Sequence, residues 1–308
     1  MLPLFLTLFP FLSMTAPASP DTSDLPYYPD AVQTVTVEGR DIAFVDDGGD
    51  APVLLFVHGL GSNLSIWRHN LDTFDDTHRV VALDLPGFGL SDKANVPATM
   101  PFFADTIAAF LDARGIDRVT YVGVSMGGQV GFTFALRHPD RVDRMALVSP
   151  AGIESFSSQE AATLKTMMTP EAIAGTPPSR VEQNTALNFH TWRDEYAWII
   201  EQRDSLAQRS DFRSYAVANA NAVAGMLDGP VLDRLDQLDL PLLILYGAGD
   251  KLIPNRFLHP NQTTATVAET AREALPHADV HLVDEAGHLL MIERPGVFHE
   301  KLRAFLNE

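Results

Sequence analysis

The chain has 308 residues, of which 46% are hydrophobic and 20% are charged, and this balance argues against wholesale disorder and against a membrane-spanning body. Its formal net charge of −18 argues against nucleic acid and anionic membrane surfaces as partners, because both would repel an acidic protein. The absence of cysteine excludes disulfides, thiolate metal sites and cysteine nucleophiles.

The N-terminal residues have the pattern of an export signal. An apolar run over 2–12 precedes an Ala-Pro-Ala sequence at 16–18, which is typical of a cleavage site. The run is shorter than the roughly 20 residues that a transmembrane helix needs. We therefore predict a signal peptide over 1–18, export to the periplasm or the exterior, and no membrane-spanning segment in the mature chain. No basic residue precedes Arg40, so a retained segment and a cytoplasmic protein stay open, and 19–32 is predicted to be a connector.

The next residues predict a β-sheet. The sequence "TVTVEGRDIAFVDDGG" alternates apolar and polar residues around a glycine, which predicts a β-hairpin. Later runs are continuously apolar, as expected of strands buried on both faces. Segments with helical spacing, "FFADTIAAFLDARG" and "GGQVGFTFALRHP", separate some of them, so we predict a mostly parallel sheet with helices on both faces. The predicted strands lie at 53–59, 79–84, 119–125, 144–150, 242–247 and 280–285.

One interval interrupts the alternation of strands and helices. From 151 to about 240 the sequence has helix-like segments and no strand-like run, and such a length exceeds an ordinary connection. We predict a helical cap over 151–238, inserted into a core domain formed by 33–150 and 239–308.

The stretch "YVGVSMGGQVG" carries the first candidate for chemistry. Ser125 lies between glycines, in a G-x-S-x-G pattern, at the end of a predicted strand and the start of a predicted helix. A serine there is often only a helix cap. In this context, however, a tight turn would raise its hydroxyl clear of the backbone, with Gly123 and Gly127 making room, and ligands of parallel sheets bind at this end of the strands.

A serine nucleophile needs a base and a carboxylate that orients the base. Asp250 in "LLILYGAGDKLIP" and His288 in "VHLVDEAGHLLMIERP" each follow a predicted strand, so both are expected at the strand ends where Ser125 lies. The alternative is that Asp250 is a turn residue and His288 a polar loop residue. Three separate loops in the order Ser, Asp, His favour a catalytic triad.

These motifs, together with "GAGD" and "EAGHLL", resemble the α/β-hydrolase family over residues 33–308. The resemblance implies an eight-stranded α/β-hydrolase fold with a helical cap. It also implies an oxyanion hole formed by the backbone N–H groups of Leu60, in "FVHGLGSN", and Met126. His58 is expected to be a structural residue.

The sequence also offers candidates for the walls of a substrate pocket. Trp67 and, in the insertion, Trp192 and Met167 are expected to line an apolar substrate pocket, although the insertion's aromatic residues and methionines could instead form its own core. We expect no cofactor and no metal, since neither a Zn-binding H-E-x-x-H pattern nor a phosphate-binding glycine loop is present.

A serine at the elbow argues against relatives that attack with aspartate, namely haloalkane dehalogenases and epoxide hydrolases. The predicted activity is hydrolysis of small to medium hydrophobic esters, with a small-molecule ester as partner. A carbon–carbon bond hydrolase is the alternative, because it resembles this chain at "SMGG" but has His-Gly-Ser-Gly-Pro where this chain has "HGLGSN". Lactonase or thioesterase activity and a non-enzymatic small-molecule receptor also stay open, as does the oligomeric state.

Overall fold

The computed structural model describes Thr22 and residues 25–307. The predicted signal peptide over 1–18 lies outside the described residues, and the predicted connector lies partly outside them. In the described part of the chain, no helix has both the length and the apolar character that crossing a bilayer requires.

The centre of the fold is an eight-stranded sheet in the order β1-β2-β4-β3-β5-β6-β7-β8. The pairs β1–β2 and β2–β4 are antiparallel, and the other neighbours are parallel. The strands are β1 (Gln33–Val37), β2 (Arg40–Asp46), β3 (Val53–Val57), β4 (Arg79–Leu83), β5 (Val119–Val124), β6 (Val142–Val148), β7 (Leu242–Gly247) and β8 (Asp279–Val283). The predicted mostly parallel sheet is therefore confirmed.

The predicted hairpin joins β1 to β2 through a two-residue turn. Val37 pairs with Arg40, and both intervening residues have positive φ, 50° at Glu38 and 78° at Gly39. Two positive φ angles define the turn type whose twist matches that of the flanking strands. The hairpin therefore forms the antiparallel edge of the sheet.

Helices cover both faces of the sheet. In β3, Leu55 and Val57 belong to one apolar cluster, while Leu54 and Phe56 belong to the other, as alternation along a strand requires. All residues of β3, β5 and β7 are buried, in agreement with their continuous apolar sequences. The helices outside the insertion are α1 (Met100–Ala113), α2 (Met126–Arg137), α8 (Thr264–Ala274), α9 (Leu290–Glu293) and α10 (Pro295–Leu306).

Five α-helices lie between β6 and β7: α3 (Ser158–Met167), α4 (Pro170–Ala174), α5 (Pro178–Ala186), α6 (Trp198–Gln208) and α7 (Phe212–Asp228). The first begins with a capping box, in which Ser157 and Glu160 bond each other's backbone N–H. Neither α3 nor α5 has a fully buried residue, whereas α6 and α7 bury ten between them. We call residues 151–238 the cap; this division of the chain stays a prediction, and α6 and α7 are its most buried helices.

The strand order places two loops at the reversal point of the sheet. The chain runs outward from β3 to β4 and then returns to β5 on the other side of β3. The loops after β3 and β5 therefore flank a crevice at the carboxyl ends of the strands, which is where open α/β sheets bind ligands.

Candidate active site

Ser125 occupies a strained turn between β5 and α2. Its φ is 55° and its ψ is −119°, a backbone conformation that is rare for residues other than glycine. Its carbonyl oxygen accepts hydrogen bonds from Gly128 N at 2.9 Å and Ala151 N at 3.0 Å, and its N–H donates to Val148 O at 3.0 Å. The surrounding backbone therefore holds the turn that presents the serine side chain.

The flanking glycines allow this turn because the neighbouring backbone lies too close for a side chain. A Cβ atom at Gly127 would lie 2.5 Å from Val57 O, and one at Gly123 would lie 2.7 Å from Gly127 O. Both separations are far below van der Waals contact. Gly127 is thus required by its packing against the end of β3, and Gly123 by the close return of the turn itself.

Asp250 and His288 form a buried hydrogen-bonded pair. His288 Nδ1 lies 2.8 Å from Asp250 Oδ2, and the other oxygen of Asp250 accepts from Leu252 N at 2.8 Å and Ile253 N at 3.0 Å. The Asp250 side chain is fully buried, and that of His288 is 5% exposed. A carboxylate only accepts, so Nδ1 carries the proton and Nε2 of the neutral ring is the acceptor.

Burial opposes the charged form of the Asp250 carboxyl, but the charge of His288 and its hydrogen bond, together with the two backbone N–H donors, outweigh burial. The pKa of Asp250 therefore lies below its usual range. The pair follows β7 and β8, and Ser125 follows β5, so all three residues lie at the carboxyl edge of the same parallel sheet. The structure thus brings Asp250 and His288 into contact and places Ser125 on the same edge.

The loop after β3, residues 59–65, lies against Ser125, and we call it the oxyanion loop after the predicted role of Leu60. A Cβ atom at Gly59 would lie 3.1 Å from Ser125 Cβ and 3.7 Å from its Oγ. Among the described residues, the N–H groups of Leu60 and Met126 donate no hydrogen bond. Met126 is the first residue of α2, where N–H groups lack partners within the helix and carry partial positive charge. Both groups are therefore available to a ligand.

His58 fixes the backbone of the oxyanion loop. Its Nε2 accepts a hydrogen bond from Leu85 N at 3.0 Å, so Nδ1 carries the proton and donates to Gly59 O at 2.8 Å. In a trans peptide the C=O and the following N–H point in opposite directions. Because His58 holds the Gly59 carbonyl, the Leu60 N–H points away from the His58 ring.

The titration of His58 leads to a testable dependence of stability on pH. Complete burial lowers the pKa of His58 from 6.5 to about 4. Between these values the unfolded state binds more protons, so the stability that neutral His58 contributes is present above pH 6.5 and is lost as the pH falls towards 4. We expect the unfolding free-energy difference between wild type and His58→Gln to shrink by about 3 kcal/mol over this range.

Urea denaturation of both proteins at several pH values measures this difference. The partly buried histidines at 69, 78 and 299 are common to both proteins and cancel in the difference. A difference that does not change with pH would show that His58 is not the buried neutral group described here.

Sequence reasoning missed two residues that join the cap to the loops of Asp250 and His288. Glu293 accepts hydrogen bonds from Gly287 N at 2.8 Å and His190 N at 2.9 Å, and Lys251 donates to Phe189 O at 2.9 Å. A single acid at the end of the apolar run "LLMIE" is the only signal for Glu293 in the sequence. The cap backbone therefore contacts the loops that carry the acid and the base.

Trp67 was predicted to line the substrate pocket, and this role stays a prediction. Its side chain is fully buried and packs on Phe56 and Phe298, with ring centroids 5.1 and 6.1 Å apart, because it fills the core between the sheet and α10. Trp192 packs within the cap against Phe189 and Tyr196. Met167 is 53% exposed at the end of α3. For Trp192 and Met167, a place in the pocket stays a prediction.

No cluster of side chains suited to a metal ion occurs among the residues that the structure describes.

The fold and this arrangement of loops define an α/β hydrolase. The chain belongs to the alpha/beta hydrolase fold family, whose model matches residues 52–295. It is 29% identical over 281 residues to the dihydrolipoyllysine-residue acetyltransferase component of the acetoin cleaving system of Cupriavidus necator, covering 90% of this chain and 69% of that protein. It is also 29% identical to a 2-hydroxymuconate semialdehyde hydrolase from a Pseudomonas species, covering 85% and 89% of the two chains.

A solved structure of a thermophilic esterase from Thermogutta terrifontis is similar as well. It superposes with a TM-score of 0.74 at 26% identity, and the match covers 90% of this chain and 98% of that one. The family and the fold that the sequence motifs predicted are therefore confirmed.

Proposed function

We propose that this protein is a serine hydrolase of carboxylic esters. The observation that carries the proposal is the buried Asp250–His288 pair, 2.8 Å apart, at the sheet edge where Ser125 occupies a strained turn. In this proposal His288 is the base, Asp250 is the carboxylate that orients it, and Ser125 is the nucleophile. The esterase from Thermogutta terrifontis, 26% identical over most of both chains, adds support for ester substrates.

In the proposed first half-reaction, Ser125 Oγ attacks the acyl carbon and its proton passes to His288 Nε2. Asp250 remains ionised and stabilises the imidazolium, in keeping with its lowered pKa. The Leu60 and Met126 N–H groups bind the oxyanion of the tetrahedral intermediate, and one such donor is worth about 3 kcal/mol. When the C–O bond breaks, His288 returns the proton to the leaving alkoxide, which departs as an alcohol.

In the second half-reaction, His288 removes a proton from water, and the resulting nucleophile attacks the acyl-enzyme. Collapse of this intermediate expels Ser125 Oγ, which regains a proton from His288, and the carboxylic acid leaves. The complete reaction consumes the ester and one water molecule, releases an alcohol and a carboxylic acid, and regenerates the enzyme.

The charge of the protein and the composition of the cap favour a particular substrate class. A net charge of −18 disfavours anionic esters, and the cap residue Trp192, which packs edge-on to Phe189 beside the loop of Asp250, adds partly exposed aromatic surface. We therefore propose neutral esters with small to medium hydrophobic acyl or aryl groups.

A second candidate is hydrolysis of a carbon–carbon bond. The specific observation in its favour is the 29% identity to a 2-hydroxymuconate semialdehyde hydrolase over 85% of this chain. Such a reaction would use the same loops, so the elbow alone does not separate the two activities.

The experiment that tests the proposal is a p-nitrophenyl ester series from acetate to decanoate, assayed beside 2-hydroxymuconate semialdehyde, with wild type and His288→Ala. We expect turnover of the esters with an optimum at short or medium chain length, lost in the variant. Faster turnover of the semialdehyde would favour the second candidate. Acylation of the protein without turnover of any substrate would contradict hydrolysis and favour a ligand-binding member of the family.

A further inference from the structure

The oxyanion loop is bonded to the cap as well as to the core. Tyr215, on α7, donates a hydrogen bond from its hydroxyl to Gly61 O at 3.1 Å, and Asn219 Nδ2 donates to the same hydroxyl at 3.0 Å. Gly61 has a φ of +70°, and a Cβ atom there would lie 3.3 Å from the Tyr215 hydroxyl. The cap helix α7 therefore packs directly on the backbone of the loop.

Another cap helix, α6, contacts the other end of the oxyanion loop through Gln202. Its Oε1 accepts from Asn63 Nδ2 at 2.8 Å, and its Nε2 donates to Ser65 Oγ at 2.8 Å and to Pro26 O at 2.8 Å. Asn63 Oδ1 in turn accepts from Ser65 N at 3.0 Å. The amide of Gln202 thus joins the oxyanion loop, the cap and the segment that precedes β1.

This network is buried, and its polar groups are mutually satisfied. Gln202 is 6% exposed, Asn63 is 7% exposed and Ser65 is fully buried. A buried polar group that loses its partner costs far more than an exposed one, because no water replaces the lost bond. Displacement of α6 would therefore leave Asn63 and Ser65 unsatisfied and would release the conformation of the loop.

The segment before β1 secures the same region from the side of the core. Tyr28 donates to Asp84 Oδ2 at 2.8 Å, and Asp84 Oδ1 accepts from Leu64 N at 2.7 Å. Pro26 and Tyr28 therefore contact the partners of the oxyanion loop on both its cap side and its core side.

We propose that Gln202 and Tyr215 are positioning residues for the oxyanion loop, so that the docked cap is required for the Leu60 N–H to stabilise an oxyanion. This inference rests on the proposed function, because it assigns the loop to transition-state binding. Neither residue needs to touch the reacting atoms. Their loss should therefore lower kcat while KM changes little, since an interaction made in the transition state is weakened.

The kinetic test compares two substitutions with the same chemistry. Tyr215→Phe removes the hydroxyl that holds Gly61, whereas Tyr196→Phe removes a buried cap hydroxyl that makes no hydrogen bond to the oxyanion loop. We expect Tyr215→Phe to lower kcat for p-nitrophenyl butyrate about 5- to 10-fold and to weaken an alkyl trifluoromethyl ketone inhibitor by a similar factor. Tyr196→Phe should leave both values within about twofold of wild type.

A second pair of variants tests Gln202. Gln202→Leu keeps a similar volume but removes every hydrogen bond of the amide, and we expect kcat to fall about 30- to 100-fold. Leu206→Ala, one turn further along α6, removes buried apolar contacts outside the network. It should lower thermal stability, with kcat preserved at temperatures where it is folded.

A measurement that needs no turnover separates this inference from the proposed function. Amide hydrogen exchange over 59–65 should become faster in Tyr215→Phe and Gln202→Leu than in their matched controls. If the two variants exchange faster than their controls but the wild type hydrolyses no ester, the positioning of the loop would stand and the proposed activity would be overturned. Equal exchange and equal kcat in each variant and its control would overturn the positioning role itself.

Discussion

Ser125→Ala is expected to lower kcat for p-nitrophenyl ester hydrolysis by about 10⁴- to 10⁶-fold, because the nucleophile is lost and only binding and the oxyanion hole remain. Alanine retains the Cβ atom, so the residue at φ 55° is no more strained than serine and the fold should be unchanged. Initial rates of p-nitrophenolate release, with near-UV circular dichroism as a check on folding, measure the effect.

Ser149→Ala is the matched control for this substitution. Ser149 directly follows β6, the strand next to β5; its Oγ is buried and has no hydrogen-bond partner among the described residues. Removing that hydroxyl should therefore change kcat by no more than about threefold. Comparable losses in both variants would mean that activity depends on the stability of the strand ends and not on a nucleophile at Ser125.

Asp250→Asn is expected to lower kcat by about 10⁴-fold while the protein stays folded. The asparagine Oδ1 can still accept from Leu252 N and Ile253 N, which leaves its amide N–H facing His288 Nδ1. Two donors cannot bond each other, so His288 must present Nδ1 as the acceptor and carry its proton on Nε2. Ring nitrogen Nε2 would then be unable to take the proton of Ser125.

Nitrogen-15 chemical shifts of the His288 ring, measured with kcat, report the tautomer directly. The control is Asp279→Asn, because Asp279 Oδ2 also lies 2.7 Å from a histidine nitrogen, that of His281, but the Asp279 side chain is exposed and that of His281 is partly exposed. This variant should keep full activity, since an exposed pair of this kind contributes little. An Asp250→Asn protein with normal kcat, or with the wild-type tautomer, would refute the proposed role of Asp250.

The structure assigns the oxyanion loop three separate supports. His58 orients the Gly59–Leu60 peptide from the core, Asp84 binds Leu64 N, and the cap residues Gln202 and Tyr215 bind the outer part of the loop. A donor aimed at developing charge is effective only if it does not need to reorganise during the reaction. Support from both the core and the cap is consistent with that requirement.

The sequence alone determined the features that depend on local patterns. Alternation around Gly39 indicated the hairpin, continuous apolar runs indicated strands buried on both faces, and a serine between glycines after a strand indicated a tight turn. The positions of Asp250 and His288 followed from one further rule, because loops after parallel strands share one edge of the sheet. Such features are encoded by neighbouring residues. Their backbone preferences and the periodicity of their hydrophobic positions can be recognised without knowing the rest of the fold.

Which distant side chains meet depends on how the helices and strands pack, and the local sequence does not specify it. The structure buries the side chain of Trp67 completely, which its sequence context did not indicate, since a large apolar residue suits both a core and a pocket wall. Gln202 has no distinguishing pattern, and Glu293 is marked only as an acid at the end of an apolar run; their partners lie up to 176 and 103 residues away in the chain. A polar residue on a helix is normally solvated, so its burial against a functional loop follows from the packing of whole elements, which sets partners that no local preference specifies.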